Sequence, residues 1–272
     1  MWQQCMDFCR CADPFAAPSA GLTMAPPSAP TPQQAWEFDT SGFLILPGAL
    51  SPQEVQHYRA AALAADDPEL RRHPSLTDPL LELHSHPTLT TVLEQLCFEP
   101  QSYHLPEDPQ PSYKLERQLA RVEPAAPGAP LLGGFVESLD HSRDYGGLQR
   151  CHGVYAAWAL TDAPSGSGLT LLPASHKPGL PTPDEIRADG GALAEALQLT
   201  LQPALAAGDL LLFASGLMHT VRPTAADTPA SLILSCEYIA AMARHSPSFR
   251  EPLRAEELAP PAFWCDFLFH FL

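Results

Sequence analysis

Apolar positions along this chain fall into two textures. Between Trp36 and Cys97 they recur at three- and four-residue spacing, whereas from about Ser112 they come in short runs between turn residues. The first pattern predicts helices and the second predicts strands. Gly42-Phe43-Leu44-Ile45-Leu46 reads as a short apolar strand closed by Pro47-Gly48. Ser51-Pro52-Gln53-Glu54 then opens a helix. Serine and glutamate three positions apart satisfy each other's free amides, and proline at the first helical position has no amide to lose. Val55, Tyr58, Ala62 and Leu63 give this helix one apolar face. A second helix is predicted over 87–97, with Leu89, Val92, Leu93 and Leu96 at helical spacing.

Strands are predicted at 113–122, 153–160, 169–172, 198–201, 210–213, 218–221 and 232–239. In the last of these Leu232, Leu234, Cys236 and Tyr238 fall on one side, as a period of two requires. Turns are read at Ser165-Gly166-Ser167-Gly168 and Ala207-Gly208-Asp209. Helices followed by closely spaced short strands predict an α+β chain. Its core is expected to be a double-stranded β-helix, a cupin-like jelly roll with flanking N-terminal helices.

The stretch 14–34 is rich in Pro, Ala, Ser and Thr and has few large apolar groups. It cannot bury enough surface to offset its ordering entropy, so 1–34 is expected to be a disordered leader ahead of a domain over 35–262. The end, 263–272, reads FWCDFLFHFL. So aromatic a tail is expected to dock on the core or on a partner.

Charge narrows the choice of partners. Fifteen basic against 31 acidic residues gives a formal net charge of −16 over 272 residues. Such a surface repels nucleic acid, anionic membrane and other polyanions, and counts against a bulky anionic substrate. No run of about 18 uncharged apolar residues is present, so no membrane span is expected. The opening MWQQCMDFCRC lacks the basic and apolar regions of a secretory signal. The seven cysteines are odd in number and lack framework spacing, which points to reduced thiols and a cytoplasmic or other reducing intracellular compartment. Cys5, Cys9 and Cys11 could clip a metal, but no second cluster completes four ligands.

Eleven histidines offer the main candidate chemistry. His57, His73, His84, His86 and His104 lie among polar or turn residues of the helical half and read as surface or capping groups. His141, His152, His176 and His219 fall in the strand region. His219 follows Leu210-Leu211-Leu212-Phe213-Ala214-Ser215-Gly216-Leu217-Met218, at the beginning of a strand. A metal ligand or a core histidine bonded to backbone would both fit there.

Three stretches together carry a family resemblance. Phe38-Asp39-Thr40-Ser41-Gly42-Phe43-Leu44-Ile45-Leu46-Pro47-Gly48-Ala49-Leu50-Ser51 resembles the opening segment of the phytanoyl-CoA dioxygenase family. Trp158-Ala159-Leu160-Thr161-Asp162, with Leu171-Leu172-Pro173-Ala174-Ser175-His176-Lys177, resembles its ALxD…G…PGSHK stretch. Ala207-Gly208-Asp209-Leu210-Leu211-Leu212-Phe213 through His219 resembles its GDxxxF…H stretch. The likeness runs in order over roughly 36–260. It implies a jelly roll, a non-haem Fe(II), 2-oxoglutarate as co-substrate, and hydroxylation of a small or lipid-like organic substrate.

That chemistry needs two imidazoles and a carboxylate on one face of iron, with three positions left for co-substrate and oxygen. Family members supply His-x-Asp on one strand, then a distant histidine, then an arginine about eleven positions further on. Alternate strand residues share a face, which is why the i, i+2 spacing works. This chain departs from the pattern twice. It has no His-x-Asp, and the expected place reads Gly128-Ala129-Pro130-Leu131-Leu132-Gly133-Gly134. Relatives with Leu-His-Gly-Gly would place their histidine at Leu132. The position eleven past His219 is Ala230, and between Pro223 and Ser248 the one arginine is Arg244.

Asp140-His141-Ser142-Arg143-Asp144 offers a replacement. His141 and Asp144 would join His219 as metal ligands, provided a bulge near Tyr145-Gly146-Gly147 brings them to one side. The plain alternative is a solvent-exposed polar loop. Arg222, three past His219, is the candidate partner for the co-substrate's carboxylate, with Arg143 and Arg150 behind it. His152 is a spare ligand. Three readings therefore stand: an Fe(II)/2-oxoglutarate oxygenase, a non-catalytic relative that binds a small molecule or partner, and a cupin-like metal protein using His141, His152 and His219.

Overall fold

The computed structural model describes residues 30–65, 79–94, 113–122, 124–125, 129–134, 153–166, 168–177, 182–222 and 231–240. It opens with a helix, α1 (Pro32–Ser41), which begins inside the stretch read as leader. Thr31 and Gln34 form a capping box there, with Thr31 Oγ1 accepting the Gln34 amide at 3.2 Å and Gln34 Oε1 accepting the Thr31 amide at 2.9 Å. Strand β1 (Phe43–Leu46) follows, then α2 (Pro52–Ala64) with the Ser51/Glu54 box read from the sequence. A 3-10 helix over Pro79–Ser85 and a short α3 (Pro87–Val92) complete the helical half.

The strands are β2 (Tyr113–Arg121), β3 (Gly153–Ala159), β4 (Gly168–Leu172), β5 (Leu210–Ala214), β6 (Met218–Arg222) and β7 (Ile233–Ala240). Five form an antiparallel sheet in the order β1-β5-β3-β7-β2, and β4 pairs with β6 in a second sheet. Single bridges widen the small sheet, Leu171 to Leu201 on one side and His219 to Leu132 on the other.

Strand alternation sorts the large sheet into two faces. Leu44, Leu212, Ala156 and Cys236 share one cross-strand row, flanked by Trp158–Leu234 and Val154–Tyr238. This is the side that the helices cover: Trp158 meets His86, and Tyr238 meets His84, which follows Leu83 in the 3-10 helix. The predicted alternation of Leu234, Cys236 and Tyr238 is present, and all three are buried. The opposite face carries the row Phe43–Phe213–Tyr155–Glu237. It looks toward the small sheet, because the rings of Tyr155 and Phe213 both contact His219 on β6.

The outer face of the small sheet has a core of its own. Leu131, Leu172, Ala194 and Met218 pack together there, with Ile186 against them. Their cover is α4 (Asp184–Arg187), a 3-10 turn over Asp189–Gly191 and α5 (Ala192–Ala196). The predicted strand at 198–201 reduces to Leu201 alone. Leu197 closes α5 by bonding Leu193 O, and Gln198 turns the chain with φ +59°, so pairing starts only after that turn. Among the described residues no helix is long and apolar enough to cross a membrane.

Two histidines read as surface or capping groups are buried. His86 does cap α3, accepting the Thr88 amide, but it is 4% exposed, and its Nε2 lies 3.6 Å from Glu54. His84 is 5% exposed and its Nδ1 is 2.9 Å from the Tyr238 hydroxyl. Burial pushes the His84 pKa down to about 4 from an ordinary 6.5 and lowers that of His86 in spite of Glu54. Below pH 6.5 the unfolded chain therefore binds a proton that folded His84 refuses. The associated stability is complete above that pH and is lost as pH falls through about 4, roughly 3 kcal/mol in all. Urea unfolding of wild type and His84→Leu at pH 7.5 and 4.5 checks this. Wild type should lose about 2–3 kcal/mol more than the variant on acidification; equal losses would contradict it. Of the other three, His57 is exposed, and His73 and His104 lie outside the described residues.

Candidate functional site between the two sheets

His219 is the second residue of β6, on the face that looks into the space between the sheets. Across β4 it stands opposite Leu171. On its other side its backbone exchanges two hydrogen bonds with Leu132, 2.7 Å from Leu132 N to His219 O and 2.8 Å from His219 N to Leu132 O. Residues paired in this way carry their side chains on the same face of the sheet. Leu132 therefore shares the face of His219, while its neighbour Leu131 enters the outer core. The His219 ring lies 5.5 Å from that of Tyr155 and 5.0 Å from that of Phe213, which stack on each other at 5.0 Å. Nδ1 is 2.9 Å from the carbonyl oxygen of Leu217. A carbonyl can only accept, so Nδ1 carries the proton and, in the neutral ring, Nε2 carries the lone pair. Histidines that bind metals are oriented by this kind of bond.

The motifs that carried the family resemblance build the frame around this ring. Ser175 Oγ donates to Leu172 O at 2.7 Å and accepts the Met218 amide at 2.7 Å, which locks the residue before His219. His176 Nε2 lies 3.1 Å from Asp39 O, and Lys177 forms a 2.8 Å ion pair with Asp39, tying α1 to the end of β4. Asp209 Oδ1 accepts the Gly48 amide at 2.9 Å and Oδ2 the Ala206 amide at 2.8 Å. Gly133 and Gly134 have φ of +84° and +101°. A Cβ on Gly133 would sit 2.5 Å from Leu217 O, so only glycine lets this segment lie against the carbonyl that holds His219.

Arg222 does not join the site. It is three residues past His219 on a regularly paired strand, so alternation sends it to the outer face. There its guanidinium bonds Glu195 at 2.8 Å and Gly190 O at 3.1 Å, fastening α5 to the sheet. His141, Asp144, His152, Arg143 and Arg150 lie outside the described residues. Among the described residues no group of three or more His, Cys, Asp or Glu is placed to hold a metal. The described donor set is one imidazole with a leucine beside it, and this alone does not fit an iron centre.

Sequence reading missed the wall opposite His219. Tyr155, Phe213 and Glu237 form it, and Glu237 is a carboxylate only 6% exposed in a strand. The register places Arg117 of β2 opposite Glu237. The signal was available in the parity of β3 and β7, had their pairing been known.

No family model and no curated protein sequence matches the chain. Solved structures do resemble it. HygX from Streptomyces hygroscopicus in its apo form is 22% identical with a TM-score of 0.60, over 78% of this chain and 88% of that one. SnoN, a non-heme alpha ketoglutarate dependent epimerase from nogalamycin biosynthesis, is 23% identical with a TM-score of 0.52, over 82% and 92%. EctD from S. alaskensis is 21% identical with a TM-score of 0.50, over 82% and 80%. HygX has been solved with iron and with nickel and 2-oxoglutarate, SnoN with Fe3+, alpha ketoglutarate and nogalamycin RO, and EctD with 2-oxoglutarate and 5-hydroxyectoine. At these identities the likeness is one of fold. The chain shares its fold with HygX, SnoN and EctD.

Proposed function

We propose that this chain is an Fe(II)/2-oxoglutarate-dependent oxygenase of phytanoyl-CoA dioxygenase type, built on a double-stranded β-helix, that hydroxylates a small or lipid-like organic substrate. The observation that carries the reading is His219: inward-facing on β6, with its ring oriented by the hydrogen bond from Nδ1 to Leu217 O. The fold shared with HygX and SnoN supports it. His141 and Asp144 are the completing ligands in this reading, since their segment continues directly from the Leu132–Gly134 stretch that borders His219. With Arg222 engaged elsewhere, Arg143 and Arg150 become the candidates for the carboxylate of 2-oxoglutarate. When bound, iron and 2-oxoglutarate supply the oxidation of an unactivated C–H bond; the chain's part is to hold them and exclude water.

The test is iron content after anaerobic reconstitution with Fe(II) and desalting. Wild type is expected to keep about one iron per chain, while His219→Ala, His141→Ala and Asp144→Ala lose it, since each removes a direct ligand. An iron-free wild type would defeat the reading. One observation favours a second reading, that of a non-catalytic relative keeping the fold to bind a small molecule. Leucine, which cannot ligate a metal, holds position 132 beside His219.

A further inference from the structure

We propose that His86 is an acid-sensing joint between α2 and α3, in which a proton taken up on Nδ1 exchanges the cap of α3 for a tighter pair with Glu54. The joint lies on the helix-covered side of the large sheet, where the His86 ring meets that of Trp158 on β3 at 5.3 Å between centroids. Nδ1 accepts the Thr88 amide at 3.3 Å, the bond that starts α3. An imidazole nitrogen that accepts carries no proton, so the proton of the neutral ring is on Nε2. Nε2 is buried, has no hydrogen-bond partner among the described residues, and lies 3.6 Å from Glu54 Oε1. A donor therefore stops just short of a carboxylate. Glu54 is engaged through its other oxygen: Oε2 accepts the Ser51 amide and hydroxyl, each at 2.7 Å, in the capping box of α2. One carboxylate thus holds the start of α2 and faces the residue that caps α3.

Protonation sets the two contacts of the ring against each other. A proton on Nδ1 turns the acceptor into a donor, and the Thr88 amide loses its partner. The charge gained by the ring strengthens the pull of Nε2–H on Glu54. From α2 the charged group acting on His86 is Glu54, and from β3 the ring meets Trp158, which does not titrate. Burial lowers the His86 pKa from an ordinary 6.5, and Glu54 opposes this in part. The capped state is therefore complete above pH 6.5 and is lost as pH falls below it. Burial raises the pKa of Glu54, but the hydrogen bonds with Ser51 and the neighbouring His86 outweigh it and hold it below 4.5. The carboxylate is thus charged while the ring titrates.

The test is NMR of histidine rings and amides in the full chain from pH 7.5 to 4.5, with hydrogen exchange at Thr88 corrected for its intrinsic rate. At pH 7.5 the His86 ring is expected as the Nε2–H tautomer. As the ring titrates, protection of the Thr88 amide should fall about fivefold, the usual worth of a helix cap. His86→Asn caps without titrating, so its Thr88 protection should hold over the same range, which also separates His86 from His84. Glu54→Gln keeps the capping box of α2 and removes the charge, so the His86 titration should move to lower pH. Five results would each overturn the joint: an Nδ1–H tautomer at pH 7.5, a ring that stays neutral down to pH 4.5, Thr88 protection unchanged through the titration, the same loss in His86→Asn, or a Glu54→Gln midpoint that does not fall.

Discussion

Gly133→Ala is expected to lower stability by about 2–4 kcal/mol, read as a shift of the urea midpoint with unchanged slope. Two costs combine. The residue has φ +84°, where a side chain strains the backbone, and its Cβ would lie 2.5 Å from Leu217 O, a backbone atom with little room to yield. Gly48→Ala separates them: φ is +61° but nothing lies within 4 Å of its Cβ, so strain alone acts, worth roughly 1 kcal/mol. If Gly133→Ala is no worse than Gly48→Ala, the close packing of this segment on the His219 strand is not as described. The displaced Leu217 carbonyl is also the acceptor for His219 Nδ1, so the variant should move that ring's NMR signals.

Asp209→Ala should cost about 2–5 kcal/mol. The carboxylate is 8% exposed and accepts two backbone amides, Gly48 and Ala206, one on each oxygen. Removing it strands both donors, at about 1–3 kcal/mol each. Asp209→Asn keeps one acceptor and turns an amine toward the other amide, so it should fall between wild type and alanine. A stable Asp209→Ala would mean that the turn after β1 is held by something else. The Gly-Asp motif in this chain then reads as a brace between the β1 turn and β5.

Much of the architecture was legible because local signals were strong. Ser51-Pro52-Gln53-Glu54 announced α2, and Leu234, Cys236 and Tyr238 announced β7. Thr31-Pro32-Gln33-Gln34 carries the same start signal for α1 and was hidden by the Pro- and Ala-rich stretch before it. The run 198–201 looked like a strand by composition, but the positive φ of Gln198 and the α5 closure override it. His84 and His86 looked polar and exposed because sequence spacing cannot show that the 3-10 helix docks on Tyr238 and Trp158.

Sequence reading singled out His219 as a candidate and raised the doubt over Leu132, whose place beside that histidine the bridge fixes. Arg222 was misplaced for a reason the sequence did contain. Three residues on a regular strand reverse the face, so no inward reach was open to it. Tyr155, Phe213 and Glu237 depend on long-range register, which single-strand patterns do not carry.

The oxygenase reading meets its most direct test in an anaerobic titration of Fe(II) into the full chain with saturating 2-oxoglutarate, watched in the visible range. Wild type should develop a weak charge-transfer band that saturates near one iron per chain, and His219→Ala should show none. A wild-type chain that stays colourless through the titration would contradict the oxygenase assignment and leave a small-molecule binder on the same two sheets.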